Sequence, residues 1–147
     1  MYLMFAVVFI LIGFAVMEFS GWFIHKYIMH GPLWNIHKTH HEPSKSFFEL
    51  NDLFSLLFGS VAVILLFLGV ENFDYRFWIG VGISLYGMLY FIIHDVLVHR
   101  RAKWFDRPKN SLLLVIFRAH QAHHATNKKD DAVSFGLFIV PKKYFKR

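Results

Sequence analysis

Ten histidines supply most of the chemistry available to this chain, and all ten fall in spaced clusters. The order is HX4H, HX2HH, HX4H, HX2HH, so a two-part pattern occurs twice. Neutral imidazole is a common ligand of zinc, copper, iron and nickel. We therefore predict that every histidine is a metal ligand and that no further side chain acts catalytically. The predicted ligands are His25, His30, His37, His40, His41, His94, His99, His120, His123 and His124.

The spacing within each motif constrains how the rings are presented. In HX2HH, positions i, i+3 and i+4 share one face of an α-helix. In HX4H, positions i and i+5 lie about 140° apart on a regular α-helix. An HX4H pair therefore either serves two different metals or straddles a helix end, and Gly31-Pro32 after His30 favours an end.

The number and type of candidate ligands indicate two metal ions. Ten imidazoles exceed the four ligands of a closed zinc site, and the chain has no cysteine to form a thiolate site or a disulfide. A pair of metal ions in contact with lipid indicates oxygen chemistry on an apolar substrate. Iron suits that chemistry better than zinc, which is redox-inert. Zinc can still replace iron in a preparation, because imidazole accepts either metal.

Three apolar stretches are long enough to cross a bilayer, which takes about 20 residues. They are 2–24, 53–70 and 77–98, and the short turn 71–76 makes the last two a hairpin. We expect the first stretch to be retained, since it lacks the basic start of a signal peptide. The prediction is one all-α membrane domain, 1–147, with three transmembrane helices and a fourth left open.

Basic residues lie on one side of these spans. Twelve of the sixteen Lys and Arg lie between Arg100 and Arg147, and Lys26, Lys38 and Lys45 follow the first span. Because basic loops stay in the cytoplasm, the histidine-bearing segments 25–52 and 99–147 should form a cytosolic cap, with Met1 and the hairpin turn opposite. We expect a multi-pass membrane protein that contacts lipid and binds no nucleic acid, since no readable basic motif is present.

Four histidine motifs carry a resemblance to a known family. HKYIMH, HKTHH, HDVLVH and HQAHH resemble the fatty-acid hydroxylase and sterol desaturase superfamily, which carries eight or more histidines on cytosolic helix ends around two irons. Further stretches resemble bacterial β-carotene hydroxylases, and the likeness runs from about Glu18 to Pro141. These stretches are FELNDL at 48–53, YGMLY at 86–90 and VSFG at 133–136.

The resemblance implies an activity and its requirements. Such enzymes hydroxylate carbon 3 of a β-ionone ring with O2 and two electrons from a reduced partner of the ferredoxin type, at two non-haem irons. β-Carotene from the bilayer would become β-cryptoxanthin and then zeaxanthin. A carotenoid 4-ketolase, a fatty-acid or sterol oxygenase and a non-catalytic metal carrier are the alternatives.

Six other residues are candidates for supporting parts. Glu18 and Asp95 could each orient a ligating histidine through a hydrogen bond. Alternatively, Glu18 lies near water, and Asp95 forms a salt bridge with the nearby Arg100 or Arg101. Asn51 and Asp52 could also orient a histidine, although N-capping of the second span is favoured. Gly87 and Tyr90 share the face of His94 and are candidates for the substrate path.

Overall fold

The computed structural model describes residues 2–42, 46–106, 109–126 and 128–145. Met1, Lys45, Lys146 and Arg147, which entered the topology argument, lie outside this part. The described residues contain helices and no β-strand. The helices are α1 (Tyr2–Phe23), α2 (Trp34–His41), α3 (Asp52–Gly69), α4 (Tyr75–Tyr90), α5 (Ser111–His124) and a 3₁₀ turn, Lys142–Phe145.

Two of these helices continue as π-helix at the end that carries histidines. Helix α1 runs on through Ile24–Met29, and α4 runs on through Phe91–Val98. With these extensions, the helices apolar and long enough to span a membrane are Tyr2–Met29, Asp52–Gly69 and Tyr75–Val98. Large apolar side chains on their outer faces are exposed, for example Leu3 at 77% and Phe67 at 79%, as a lipid-facing surface requires. The prediction of an all-α protein with three spans is confirmed.

Helix α4 is the centre of the three-span bundle because its glycines admit close neighbours. A Cβ on Gly82 would strike the carbonyl of Ile10 in α1, and one on Gly13 would strike that of Ile79. Towards α3, a Cβ on Gly80 would lie 3.1 Å from the carbonyl oxygen of Ala62. Small residues allow such backbone contact between membrane helices, where lipid removes the hydrophobic force for association.

The hairpin between α3 and α4 closes tightly at the end away from the histidines. Asp74 caps α4, since its carboxylate accepts a hydrogen bond from the Arg76 amide at 2.9 Å. Gly69 lies against the backbone of Phe77, where any Cβ would collide. These contacts fix the register of the hairpin, so the other ends of α3 and α4 arrive together at the histidine side.

Two short helices and a non-helical segment complete the structure beyond the spans. Helix α2 carries the first histidine triplet, and α5 carries the second. Asn110 caps α5 by accepting from the Leu112 amide at 2.9 Å. At 14 residues α5 is too short to span a bilayer, so no fourth span occurs among the described residues.

Candidate metal centre

The ten histidines converge into two compact clusters and a pair between them. In each cluster, the four ligand atoms lie within 4.8 Å of one another, and each cluster could hold a metal ion. The first cluster is His25, His30, His37 and His123, and the second is His40, His94, His99 and His120.

Each cluster takes histidines from both halves of the repeated pattern. The HX4H pair and the first histidine of the adjacent triplet share a cluster, as His37 does with His25 and His30. The middle histidine of each triplet crosses over, so that His123 joins the first cluster and His40 the second. The duplicated sequence therefore becomes an approximately symmetric, interlocked pair of sites.

The π-helical turns explain the HX4H spacing. The His30 amide donates to the His25 carbonyl at 3.0 Å, and the His99 amide donates to the His94 carbonyl at 2.9 Å. Bonds between positions i and i+5 define a π-turn, which places the two side chains one above the other. Of the two alternatives for an HX4H pair, the helix end is confirmed, since His30 and His99 each directly follow the last residue of a π-helix. Both members of each pair share one cluster.

Seven imidazoles, four in the first cluster, two in the second and His41 between them, have an oxygen acceptor on Nδ1; that of His41 is the Thr126 carbonyl at 3.0 Å. In the first cluster the acceptors are neutral: His37 donates to Asn51 Oδ1 at 2.8 Å, and the other three donate to backbone carbonyls. These carbonyls are Phe135 for His25, Lys129 for His30 and Val133 for His123. Because a ring with its proton on Nδ1 has a lone pair on Nε2, this arrangement points Nε2 lone pairs into the cluster.

The second cluster is backed by carboxylates. His40 Nδ1 donates to Glu49 Oε2 and His94 Nδ1 donates to Asp95 Oδ1, each at 2.8 Å. One guanidinium joins the acceptors, since Arg101 lies 2.9 Å from Glu49 Oε2 and 3.9 Å from Asp95 Oδ1. A hydrogen-bonded carboxylate behind an imidazole makes it a stronger electron donor to a metal.

The contacts between Nε2 atoms favour a cation between the rings. His25 Nε2 lies 3.0 Å from His37 Nε2, and His30 Nε2 lies 3.2 Å from His123 Nε2. All four rings hold their proton on Nδ1, so lone pairs face each other across these gaps. Such contacts are favourable only with a positive charge among them, and a bound metal ion supplies one.

Protonation of the imidazoles outside the spans does not supply this positive charge, because their pKa values are low. Burial lowers the pKa of His37 to about 3, and burial together with His41 and His30 lowers that of His123 to about 2. Burial also lowers the pKa of His99 to about 4. Neutral imidazole is the form that binds metals, so the site is ready for them at physiological pH.

His41 and His124 lie between the clusters. Their rings stack with centroids 4.5 Å apart and planes at 26°. His41 Nε2 is 3.2 Å from His37 Nε2 in the first cluster, and the His124 ring centroid is 4.5 Å from that of His120 in the second. His124 Nε2 is buried and has no hydrogen-bond partner among the described residues. Both rings are therefore placed to complete a metal's ligand shell.

An apolar cavity of about 450 Å³ leads to these imidazoles. Gly87 and Tyr90, the sequence candidates for the substrate path, both line it, together with His25, His37, His40 and His94. Tyr90 stacks on His94 at 4.3 Å between ring centroids. The volume lies within the usual range for small-molecule sites, so a ring-sized apolar group has room beside the metal ligands.

Glu18 has a different task from the one the sequence suggests. Its carboxylate accepts hydrogen bonds from the Tyr86 hydroxyl at 2.8 Å and from the amides of Phe138 and Ile139 at 2.9 and 2.7 Å. It thereby ties the C-terminal segment to α1 and α4. The Phe135 carbonyl in that segment accepts a hydrogen bond from His25. Glu18 therefore positions the segment that carries this carbonyl and does not contact the imidazole itself.

Asn51 and Asp52 also differ from the favoured N-capping interpretation. Asn51 is at the N-cap position of α3, but its side chain makes no capping bond and accepts from His37 instead. Asp52 accepts from the Glu49 amide and from Arg101, at 2.9 and 2.7 Å. Buried imidazole and guanidinium donors compete for these side-chain oxygens more strongly than the backbone amides at the start of α3, because water can satisfy those amides.

Sequence reasoning missed one side chain of the centre and several carbonyls. Glu49 was visible within FELNDL, yet its spacing predicts no partner, whereas the salt bridge considered for Asp95 is present with Arg101 at 3.9 Å. The carbonyls of Lys129, Val133 and Phe135 carry no side-chain signal at all. Only the fold brings that segment behind the first cluster.

The fold and the histidine clusters together define a helical protein with three helices able to span a membrane and two candidate metal sites. The sequence profile of the fatty acid hydroxylase family matches residues 10–143, and the chain belongs to that family. It is accordingly a hydroxylating enzyme. No solved structure matches the chain.

Within the family, the chain is similar to several curated β-carotene hydroxylases. The chain is 42% identical to a β-carotene hydroxylase of Pantoea ananas over 125 residues, which is 85% of this chain and 71% of that protein. It is 42% identical to a β-carotene hydroxylase of Pseudescherichia vulneris over 134 residues, 91% and 76% of the two chains. A β-carotene 3-hydroxylase of Arabidopsis thaliana is 38% identical over 137 residues, 90% of this chain and 45% of that protein.

Proposed function

We propose that this protein hydroxylates β-carotene at carbon 3 of each β-ionone ring, giving β-cryptoxanthin and then zeaxanthin. The observation that carries the proposal is the apolar cavity that ends on the imidazoles of both clusters. The substrate class follows from the similarity to named β-carotene hydroxylases over most of the chain.

The ten histidines are proposed to hold two iron ions, one in each cluster, with His41 and His124 between them. When bound, the irons supply activation of O2, with two electrons from a ferredoxin-type donor. The donor set fits this role, since it consists of neutral nitrogen ligands and lacks thiolate. Zinc would fit the same nitrogens and would not support the reaction.

The protein's own residues prepare and protect this chemistry. Hydrogen bonds on Nδ1 fix the direction of Nε2 in seven of the ten imidazoles, so little reorganisation is needed during turnover. The apolar wall of the cavity, with Met17, Phe58 and Ile83, excludes water from the reacting carbon. Because carbon 3 is not the weakest C–H position of the ring, selectivity comes from how the cavity positions the ring against the metal ligands.

The proposed location is a bacterial inner membrane with the histidine clusters on the cytoplasmic side. The charge pattern supports this, with basic residues concentrated in the segments that carry the histidines. An electron donor in the cytoplasm would then approach from the side opposite to the lipid.

Pigment analysis in a bacterial host that accumulates β-carotene tests the reaction. Expression of this chain with iron supplied should produce zeaxanthin, with β-cryptoxanthin as the intermediate. Echinenone or canthaxanthin would instead make the enzyme a 4-ketolase. Unchanged β-carotene, with the protein present in the membrane, would contradict the proposal.

A further inference from the structure

The cavity that leads to the metal ligands opens on the outer surface of the bundle, between α3 and α4. Four exposed small residues line it there: Ser55 and Gly59 of α3, and Ser84 and Gly87 of α4. The same cavity is lined at its inner end by His94 and Tyr90. A continuous space therefore connects the lipid-facing surface with the second cluster.

The two helices touch near their turn and separate towards the histidines. Gly80 and Gly87 are seven residues apart and so share a face of α4. A Cβ on Gly80 would lie 3.1 Å from the Ala62 carbonyl oxygen, whereas one on Gly87 would meet nothing within 4 Å. Gly59 of α3 likewise has nothing within 4 Å, although Gly69 lies against Phe77. Glycines usually allow two membrane helices to touch, but Gly59 and Gly87 border a gap between α3 and α4.

The size of the cavity explains why an opening is needed at this place. About 450 Å³ accommodates the ring end of a carotenoid and not the whole molecule. The remaining polyene must stay outside, and the bilayer is the phase that dissolves it. Apolar side chains with large exposure flank the gap, Leu56 at 67%, Val63 at 64% and Met88 at 55%. The polyene would therefore lie on an apolar surface.

We propose that this gap, the lateral portal formed by Ser55, Gly59, Ser84 and Gly87, admits the ring end of the carotenoid directly from the bilayer. The inference rests on the proposed function, because it takes a carotenoid as the substrate. Glycine at 59 and 87 keeps the portal wide enough for a methylated ring. A side chain added at either position would narrow it and select for thinner substrates.

Cysteine labelling gives a reversible test, since the chain contains no cysteine of its own. Gly59→Cys and Gly87→Cys variants are reconstituted into liposomes with iron and labelled with benzyl methanethiosulfonate, which forms a mixed disulfide that dithiothreitol removes. Ser60→Cys is the matched control, because Ser60 is exposed on the same turn of α3 and does not line the cavity. Each variant is compared with itself before and after labelling, which separates blockage from misfolding.

The expected result is a loss of more than tenfold in kcat/KM for β-carotene after labelling at positions 59 and 87. Dithiothreitol should restore the rate, and the metal content per chain should stay constant throughout. Labelled Ser60→Cys should keep its rate. If the enzymes labelled at 59 and 87 turn over as fast as the labelled control, the substrate enters elsewhere and the portal is refuted.

A binding measurement separates this inference from the proposed function. β-Carotene in the liposomes should slow labelling of Cys at 59 and 87 and leave labelling at 60 unchanged. Protection without any hydroxylated product from the unlabelled protein would refute the proposed reaction and support the portal. Equal labelling rates at 59, 87 and 60, with and without β-carotene, would overturn the portal even if zeaxanthin is formed.

Discussion

At the scale of single residues, the hydrogen-bond acceptors behind the imidazoles distinguish the two clusters. The first cluster is backed by the Asn51 amide oxygen and backbone carbonyls, all of them neutral. The second has two carboxylates, Glu49 and Asp95, which share the guanidinium of Arg101. The two candidate metal positions are therefore electrostatically unequal despite their nearly symmetric histidine sets.

Arg101 is the residue whose change should separate the clusters. Replacement by Gln removes the charge that holds Glu49, Asp52 and Asp95 together, so His40 and His94 lose their fixed orientation. We expect metal affinity of the second cluster and hydroxylation to fall about 10–100-fold, with the first cluster still loaded. Arg101→Lys should retain part of both. Metal analysis of the purified protein would give the number of ions per chain.

Arg76→Gln is the control for this change. Arg76 pairs with Asp74 in the hairpin turn, at the far end of the spans, and is partly exposed. Such a pair contributes little to stability, so metal content should stay at the wild-type value. Equal metal content in Arg101→Gln and Arg76→Gln would contradict the role given to Arg101.

Buried neutral histidines predict how the metal-free protein responds to acid. The unfolded chain binds protons at His37, His41 and His99 near pH 6.5, whereas their folded pKa values are about 3, 4 and 4. Stability should therefore fall as the pH drops from about 6.5 towards 4 and be nearly constant above 7. Thermal unfolding in detergent at pH 8, 6.5 and 5 measures this.

His41→Gln provides the internal check on the acid response. Removing one of the buried bases should make the loss of stability between pH 6.5 and 5 shallower. An unfolding midpoint that is the same at pH 8 and pH 5 for the wild-type protein would show that these imidazoles are not held neutral by the fold.

At the scale of elements, sequence predicts the spans and the convergence of the histidines. Apolar length fixed α1, α3 and α4 to within a few residues, and topology placed all four motifs at one end. The π-turns at Ile24–Met29 and Phe91–Val98 were out of reach, because i, i+5 spacing was judged on α-helical geometry. Crossover of His40 and His123 depends on where the fold places α2 and α5 relative to the spans, which no local pattern encodes.

Close packing of α1 on α4 depends on glycine at a few positions. In Gly82→Ala, the new Cβ would strike the carbonyl of Ile10 in α1, so α1 must move away. Overpacking of this kind costs about 1–3 kcal/mol, and the thermal unfolding temperature of the purified protein should fall. Gly59→Ala is the matched change, since its Cβ meets nothing within 4 Å. Equal stability of the two variants would contradict the packing argument.

At the scale of the whole molecule, three helices able to span a membrane bring the histidines to one end of the bundle. The proposed orientation places Lys38 in the cytoplasm and Glu71 outside, and both residues are exposed. With no native cysteine, Glu71→Cys should react with an impermeant thiol reagent on spheroplasts, and Lys38→Cys should react only after lysis. The reverse pattern would place the histidine centre on the outer side.

The central claim is that the two histidine clusters hold metals and that the enzyme hydroxylates carbon 3 of the ring with an oxygen atom from O2. Its most direct test is turnover of β-carotene by the purified, iron-loaded protein under ¹⁸O2 with a reduced ferredoxin, followed by mass spectrometry of the product. The account predicts two irons per chain and zeaxanthin with ¹⁸O in both hydroxyl groups. A product without the label, a 4-keto product, or no product from protein that carries both irons would contradict it.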